Sequence, residues 1–334
     1  MVVTGDMKEL IGKSVLVTGG GGFIGSHLVE QLVELGVKTR AFVHYRSDGS
    51  WGWLDQSPCK DDVEVISGDL RDRDNVATAV KNVDIVYHLA ALIAIPYSYS
   101  SPGSFIQTNV EGTFNIVQAC RDFNIQKMIH TSTSEVYGTA QRVPIDEMHP
   151  LQAQSPYAAS KIAADKIVES FHLSFGLPTI TVRPFNTFGP RQSSRAVIPT
   201  IIAQALTSEK IRLGNVHPTR DLNYVANTVD GFVRAALSKS GVGWTVNLGS
   251  GVEVSVGDLA KMISRLVGKE TVIEVDEQRV RPQKSEVDRL LADNALAQSR
   301  LNWKPAVPLE QGLINTIEWM RKYIDKYRPS SYVV

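Results

Sequence analysis

The chain has 334 residues with 35 basic and 35 acidic side chains, a net charge of zero, and 43% hydrophobic residues. A chain of that size buries a full core without metals or disulfides, and its balanced charge gives no long-range field for a polyanion, which argues against nucleic acid as a partner. Two distant cysteines, Cys59 and Cys120, form no CxxC pair and argue against a disulfide framework and a zinc site.

Residues 1–10 include Asp6, Lys8 and Glu9 where a signal peptide needs an apolar run. No later stretch approaches the roughly 18 apolar residues of a membrane span. The expectation is a cytoplasmic protein, neither exported nor inserted in a membrane.

From Ser14 onward, short β-branched runs alternate with longer segments of helical period. Candidate strands fall at 14–18, 39–43, 63–66, 85–88, 127–130 and 179–182. This rhythm predicts an α/β fold, a doubly wound parallel Rossmann sheet covered by helices on both faces. After Arg183 the rhythm breaks at Pro184, Pro190, Pro199 and Pro218, which predicts a smaller C-terminal α/β lobe. The reading assigns 10–185 to a dinucleotide-binding domain, with 222–250 returning to it, and 186–221 plus 251–325 to a substrate lobe. The cleft between them is the expected working site, and the tail 328–334 is expected to be loose.

The first strand runs into Thr18-Gly19-Gly20-Gly21-Gly22-Phe23-Ile24-Gly25, followed by an amphipathic stretch at 26–35 and a stop at Gly36. Gly19 allows a tight turn, Gly22 lets backbone approach a pyrophosphate, and Gly25 allows close helix packing. The helix N-terminus then offers free N–H groups and a positive dipole end to the phosphates. The end of the second strand lacks the carboxylate that usually meets the adenine-side ribose. His44 and Arg46 stand there and suit a 2′-phosphate, so the site reads equally as NADP-binding or as an NAD site without the acid. Asp69, after the third strand, is placed for the adenine end, where an ordinary turn aspartate is the alternative.

Ser155-Pro156-Tyr157-Ala158-Ala159-Ser160-Lys161 reads as a helix start, with Ser155 as N-cap and Pro156 at the first position. Tyr157 and Lys161 then share a face, and an ammonium beside a phenol lowers the phenol toward a usable general base. Upstream, the strand at 127–130 delivers Thr131-Ser132-Thr133-Ser134-Glu135-Val136-Tyr137-Gly138 to the C-terminal edge of the sheet. Thr133 could bond a reacting hydroxyl, and Glu135 is a candidate general base whose apolar surroundings would raise its pKa.

Taken with His88-Leu89-Ala90-Ala91, Asn109-x-x-Gly112 and Arg183-Pro184-Phe185-Asn186, these motifs resemble the extended short-chain dehydrogenase/reductases acting on nucleotide sugars, over the chain up to about Pro308. Residues 50–55, 91–99 and 191–199 look more narrowly like the GDP-N-acetylglucosamine 4,6-dehydratases of legionaminic acid synthesis. The resemblance implies tightly bound NAD or NADP held by Gly19, Gly22, Phe23, Ile24, Gly25, His44, Arg46, Asp69, Leu70, Leu89, Ala90, Ala91, Tyr157 and Lys161. It also implies a redox-neutral cycle on a nucleotide-diphosphate sugar. Tyr157, assisted by Lys161 and Thr133, takes the proton of the 4-hydroxyl as the cofactor takes hydride. Glu135 removes the carbon 5 proton, water leaves carbon 6, and hydride returns there.

Many 4,6-dehydratases carry an aspartate just before the glutamate, whereas this chain has Ser134, so Glu135 or a water held by Ser134 must supply the proton for the leaving hydroxyl. On the substrate side the resemblance implies Asn186, Arg191, Arg220 and Arg281, since arginine's fork suits a pyrophosphate. It further implies a homodimer through helices at 112–123 and 156–175. Trp51 and Trp53 either shield the cleft or pack the loop after the second strand. A UDP-glucuronate decarboxylase, a 4-epimerase and a non-catalytic nicotinamide-sensing protein are the competing functions.

Overall fold

The structure, a computed structural model, describes residues 9–280 and 282–327. In the first half, strands β1 (Ser14–Thr18), β2 (Lys38–His44), β3 (Glu64–Gly68), β4 (Ile85–His88), β5 (Lys127–Thr131) and β6 (Thr179–Pro184) form within two residues of their expected bounds. Between them lie helices α1 (Phe23–Glu34), α2 (Arg73–Val80), α3 (Ile95–Ser100), α4 (Pro102–Phe105), α5 (Gly112–Asp122) and α6 (Pro156–Phe175). The second half adds strands β7 (Thr187–Phe188), β8 (Lys210–Leu213), β9 (Thr219–Asp221), β10 (Asn223–Tyr224), β11 (Thr245–Leu248), β12 (Glu253–Ser255) and β13 (Val272–Val275). Its helices are α7 (Val197–Thr207), α8 (Val225–Leu237), α9 (Val256–Val267), α10 (Ala295–Leu301) and α11 (Leu309–Lys322).

The central sheet has seven strands in the order β11-β6-β5-β4-β1-β2-β3, all pairs parallel. Every residue of β4 and β6 is buried, as expected of strands covered on both faces. On one face, Leu28, Val29 and Leu32 of α1 pack with Phe232 and Val233 of α8 and with Trp303. On the other, Val76 of α2, Ile116 and Val117 of α5, and Val168 and Phe171 of α6 form a second core. Each such side chain, fully buried, contributes about 1.5–3 kcal/mol before entropy is counted. A third core joins α7, α9 and α11 through Ile201, Ile202, Leu259, Ile263, Leu313 and Met320, beside the small pairs β8 with β13, β9 with β12 and β7 with β10.

Strand order turns back between β1 and β4, which opens a crevice at the C-terminal edge of the sheet. Next to it, Ile106–Glu111 forms a π-helical stretch between α4 and α5. Its Asn109 clips the neighbouring loop by accepting from the Leu92 amide at 2.8 Å and donating to the Leu92 carbonyl at 2.9 Å. The same amide donates to Ser160 Oγ at 2.9 Å, which ties the loop to the first turns of α6. Among the described residues, no helix is long and apolar enough to cross a membrane.

Candidate active site

The glycine loop is set by contacts that leave no room for side chains. Gly19 has φ +71°, and a Cβ there would lie 3.0 Å from the backbone of Ala90; a Cβ on Gly25 would lie 2.1 Å from the Gly19 carbonyl. No side chain caps α1 at Gly22, so its N-terminal turn faces the crevice with its dipole uncompensated. A directed chain of hydrogen bonds fixes the loop to β4. Thr113 donates to the Asn109 carbonyl at 2.6 Å and so accepts from His88 Nε2 at 3.0 Å. His88 Nδ1 therefore accepts from Thr18 Oγ1 at 2.9 Å, leaving that oxygen to accept the Leu89 and Ala90 amides, both at 3.1 Å. Burial holds His88 neutral, well below the usual histidine range.

One cleft of about 1250 Å³ runs from this loop to the second lobe. It is lined by Gly19, Gly22, Phe23, Ile24, Gly25, His44, Arg46, Asp69, Leu70, Leu89, Ala90 and Ala91 at one end. Thr133, Ser134, Glu135, Tyr157 and Lys161 lie at its centre, and Asn186, Arg191 and Arg220 at its far side. Arg281 lies outside the described residues. The narrow glycine contacts and the uncapped helix end fit a dinucleotide pyrophosphate.

At the end of the cleft where the sequence predicts the adenine, two arginines are already paired. Arg46 donates to Asp48 at 2.9 Å, and Arg71, unremarked in the sequence, donates to both carboxylate oxygens of Asp69. The Arg71 hydrogen bond holds the Asp69 carboxyl below its ordinary range. His44 and Arg46 remain exposed at the cleft rim.

At the centre, Ser155 caps α6 by accepting from the Ala158 amide at 3.1 Å, with Pro156 at the first position as expected. Tyr157, Lys161 and Asp165 follow at intervals of four along this helix, all buried. Thr133 caps the short turn Ser134–Tyr137 by accepting from the Glu135 amide at 3.2 Å, which holds Glu135, 9% exposed, at the cleft.

At the Tyr157 phenol, the lowering expected from Lys161 is outweighed. Burial pushes the phenol above its ordinary range, and the Thr133 hydroxyl against it pulls the other way. Lys161 instead donates to the Thr131 carbonyl at 2.6 Å. Burial lowers Lys161 to about 8, opposed by the charge of Asp165.

Behind these groups lies a buried cluster that the motifs did not announce. Asp165 accepts from His130 Nε2 at 3.1 Å, Ser132 Oγ at 2.7 Å and Arg183 Nη2 at 2.9 Å. Burial alone would raise its carboxyl, but the His130 hydrogen bond and the charges of Arg183 and Lys161 prevail and hold it at about 2. Arg183 also donates to the Tyr137 hydroxyl at 2.9 Å, which donates to Asn247 at 2.8 Å. Ends of β5, β6 and β11 are thereby tied to α6.

At the far side of the cleft, Arg191, at φ +71°, reaches back to α1, bonding Ser26 Oγ at 3.1 Å and Glu30 at 2.8 Å. His27 meets the Pro190 carbonyl at 3.1 Å beside it. Arg220 pairs with Glu286 at 3.2 Å. Arg195, from the stretch 191–199, lines the same cleft, as do Arg279 and Lys326, which no motif singled out. Among the described residues, no group of three or more His, Cys, Asp or Glu is placed to hold a metal ion.

A parallel sheet carrying a glycine loop and a Tyr-x-x-x-Lys helix on one cleft defines an extended short-chain dehydrogenase/reductase. The family described as GDP-mannose 4,6 dehydratase matches residues 16–316. The dTDP-D-glucose 4,6-dehydratase of Mus musculus is 34% identical, over 95% of this chain and 91% of its own. The UDP-glucose 4-epimerase of Mycolicibacterium smegmatis is 33% identical, over 92% of this chain and 98% of its own. DesIV, the dTDP-glucose 4,6-dehydratase of Streptomyces venezuelae solved with NAD and TYD bound, superposes with a TM-score of 0.85 at 27% identity, over 95% of this chain and 99% of its own. The chain belongs to the GDP-mannose 4,6-dehydratase family, among the NAD-dependent dehydratases and epimerases of nucleotide sugars.

Proposed function

We propose that this protein is a nucleotide-sugar 4,6-dehydratase acting on GDP-N-acetylglucosamine in legionaminic acid synthesis. The observation that carries the dehydratase reading is Glu135, a buried carboxylate on the same cleft as Tyr157 and Thr133. Elimination needs a base for carbon 5, and an epimerase does not. The choice of sugar rests on residues 50–55, 91–99 and 191–199 and their likeness to dehydratases of that substrate. The reading retains the domain division drawn above.

A bound NAD or NADP supplies a hydride acceptor that returns the same hydride at the end of the cycle. Glycine-loop backbone and the N-terminus of α1 hold its pyrophosphate. Tyr157 takes the proton of the sugar 4-hydroxyl, with Thr133 bonded to the same oxygen and the Lys161 charge favouring the phenolate. The resulting 4-ketone acidifies the carbon 5 hydrogen, which Glu135 removes. Ser134 is too weakly acidic to protonate the leaving hydroxyl directly, so either Glu135 passes the proton it has gained to the carbon 6 hydroxyl or a water held by Ser134 relays one, and the hydroxyl departs as water. With the hydride that the cofactor would return to carbon 6 and a proton that carbon 5 takes from solvent, the product is the 4-keto-6-deoxy sugar. Asn186, Arg191, Arg220 and Arg281 are the proposed substrate contacts.

Ser134 also favours a second reading, a 4-epimerase, since that reaction needs no acid there. Mass spectrometry after incubation with GDP- and UDP-sugars separates the readings: loss of one water supports the dehydratase. An unchanged mass supports the epimerase, and loss of carbon dioxide from UDP-glucuronate supports a decarboxylase.

A homodimer through α5 and α6 completes the proposal. Phe114 (46% exposed), Leu173 (75%) and Phe175 (55%) stand on these packed helices, an apolar face suited to a two-fold contact.

A further inference from the structure

The turn after β2 lies directly on the glycine loop. The Trp53 amide donates to the Gly21 carbonyl at 3.0 Å. Gly52 has φ +70°, and a Cβ there would lie 2.5 Å from the Gly21 carbonyl; a Cβ on Gly21 would lie 2.1 Å from the Trp51 carbonyl. Two backbones in such contact shift only together. The turn is also stiff within itself: Ser50 Oγ donates to Asp55 at 2.6 Å and the Trp51 amide to the same carboxylate at 2.9 Å. Leu54 anchors it, fully buried in the core that holds α1.

The Trp53 side chain reaches the opposite end of the chain. Its ring meets Trp319 of α11 edge to face, with centroids 5.4 Å apart at 71°, and the Lys326 ammonium lies 4.8 Å from its centroid. Trp319 stacks on Tyr323 at 4.5 Å and meets Tyr327 edge-on. Tyr327 donates to the Gln192 carbonyl at 3.0 Å, in the segment that also carries Arg191. Trp51, Trp53, Lys326 and Tyr327 all line the cleft. No step of the reaction above uses any of them.

We infer that Trp53 is a positioning residue of the dinucleotide site, coupling the glycine loop to α11 so that the dinucleotide leaves only when the Trp53 contacts with Trp319 and Lys326 open. The inference rests on the dinucleotide-binding part of the proposed function. It gives that part a structural cause for keeping one cofactor through many turnovers.

The test loads holoenzyme with radiolabelled NAD, or NADP where the protein retains that instead, and follows its dissociation into excess unlabelled dinucleotide. Trp53→Ala and Trp319→Ala are each expected to raise the dissociation rate about tenfold, the scale of one aromatic pair with its cation contact. Trp53→Phe is expected to restore most of the retention, and exposed Lys326→Gln to give a smaller rise. Trp319 lies outside the glycine loop, so its variant reads the coupling even if Trp53→Ala fails to fold. Wild-type dissociation rates in folded Trp53→Ala and Trp319→Ala overturn this inference alone. A wild-type protein that holds no dinucleotide overturns it together with the dehydratase reading.

Discussion

The Lys161 ammonium is fastened to the carbonyl of Thr131 by a 2.6 Å hydrogen bond, one helical turn beyond the Tyr157 phenol. The cation is thus placed by the end of β5 before any ligand contact, while burial keeps the phenol above its ordinary range. Replacing Lys161 by Met removes both the anchor and the charge. Substrate oxidation, followed as reduced nicotinamide, should fall about 100- to 10,000-fold. Its pH dependence should move to higher pH, because a phenol without the Lys161 charge on its helix face ionises later. An unchanged pH profile would remove Lys161 from the proton-transfer step.

Asp165 holds three donors at once, and it is as buried as they are. Asp165→Asn leaves the Arg183 guanidinium buried without its carboxylate and should destabilise the fold by about 3–5 kcal/mol. Denaturant unfolding measures it. A loss below about 1 kcal/mol would mean that the pair behaves like an exposed one.

Acid should weaken the fold in two stages. Burial, helped by the Arg191 charge, lowers His27 from 6.5 to about 4, so between those values the unfolded chain binds a proton that the folded chain refuses. Stability therefore falls as pH drops through that window. His88 and His130, lowered in the same direction by burial, steepen the slope. Asp165, lowered from 3.8 to about 2, contributes stability above 3.8 that is lost as pH falls toward 2. Urea midpoints measured against pH should show the first slope reduced in His27→Gln. An equal slope in that variant would refute the assignment.

Leu173→Glu and Phe175→Glu place carboxylates on the exposed face of α6 and should convert the proposed dimer to monomer with little change in the monomer's fold. Light scattering at working concentration reads this directly. A monomeric parent protein would overturn the proposed interface.

The parts of this molecule that were legible in the sequence are those whose cause is local. β4 and β1 follow from short apolar runs, α6 from Ser155 and Pro156, and the glycine loop from residues that cannot carry a Cβ. Even the meeting of Gly22, Tyr157 and Arg220 on one cleft follows from the rule that open α/β sheets bind ligands at the carboxyl edge. What the sequence concealed depends on pairings far apart in the chain. Arg191 is spent partly on Glu30, and Asp165 on Arg183. Trp53 finds Trp319 across most of the chain's length. No periodicity encodes such contacts, and the π-helical turn that seats Asn109 likewise arises from tertiary packing against Leu92 and Ser160.

The central claim is that Glu135 removes the carbon 5 proton. Glu135→Gln keeps the shape and removes the base, so on mixing with GDP-N-acetylglucosamine the variant should still form reduced nicotinamide, while water loss slows about 100- to 10,000-fold. The direct measurement is solvent deuterium at carbon 5 of the recovered sugar. The account predicts incorporation with the parent enzyme and none with Glu135→Gln; normal turnover and normal exchange in the variant would contradict it and assign the carbon 5 base to another group.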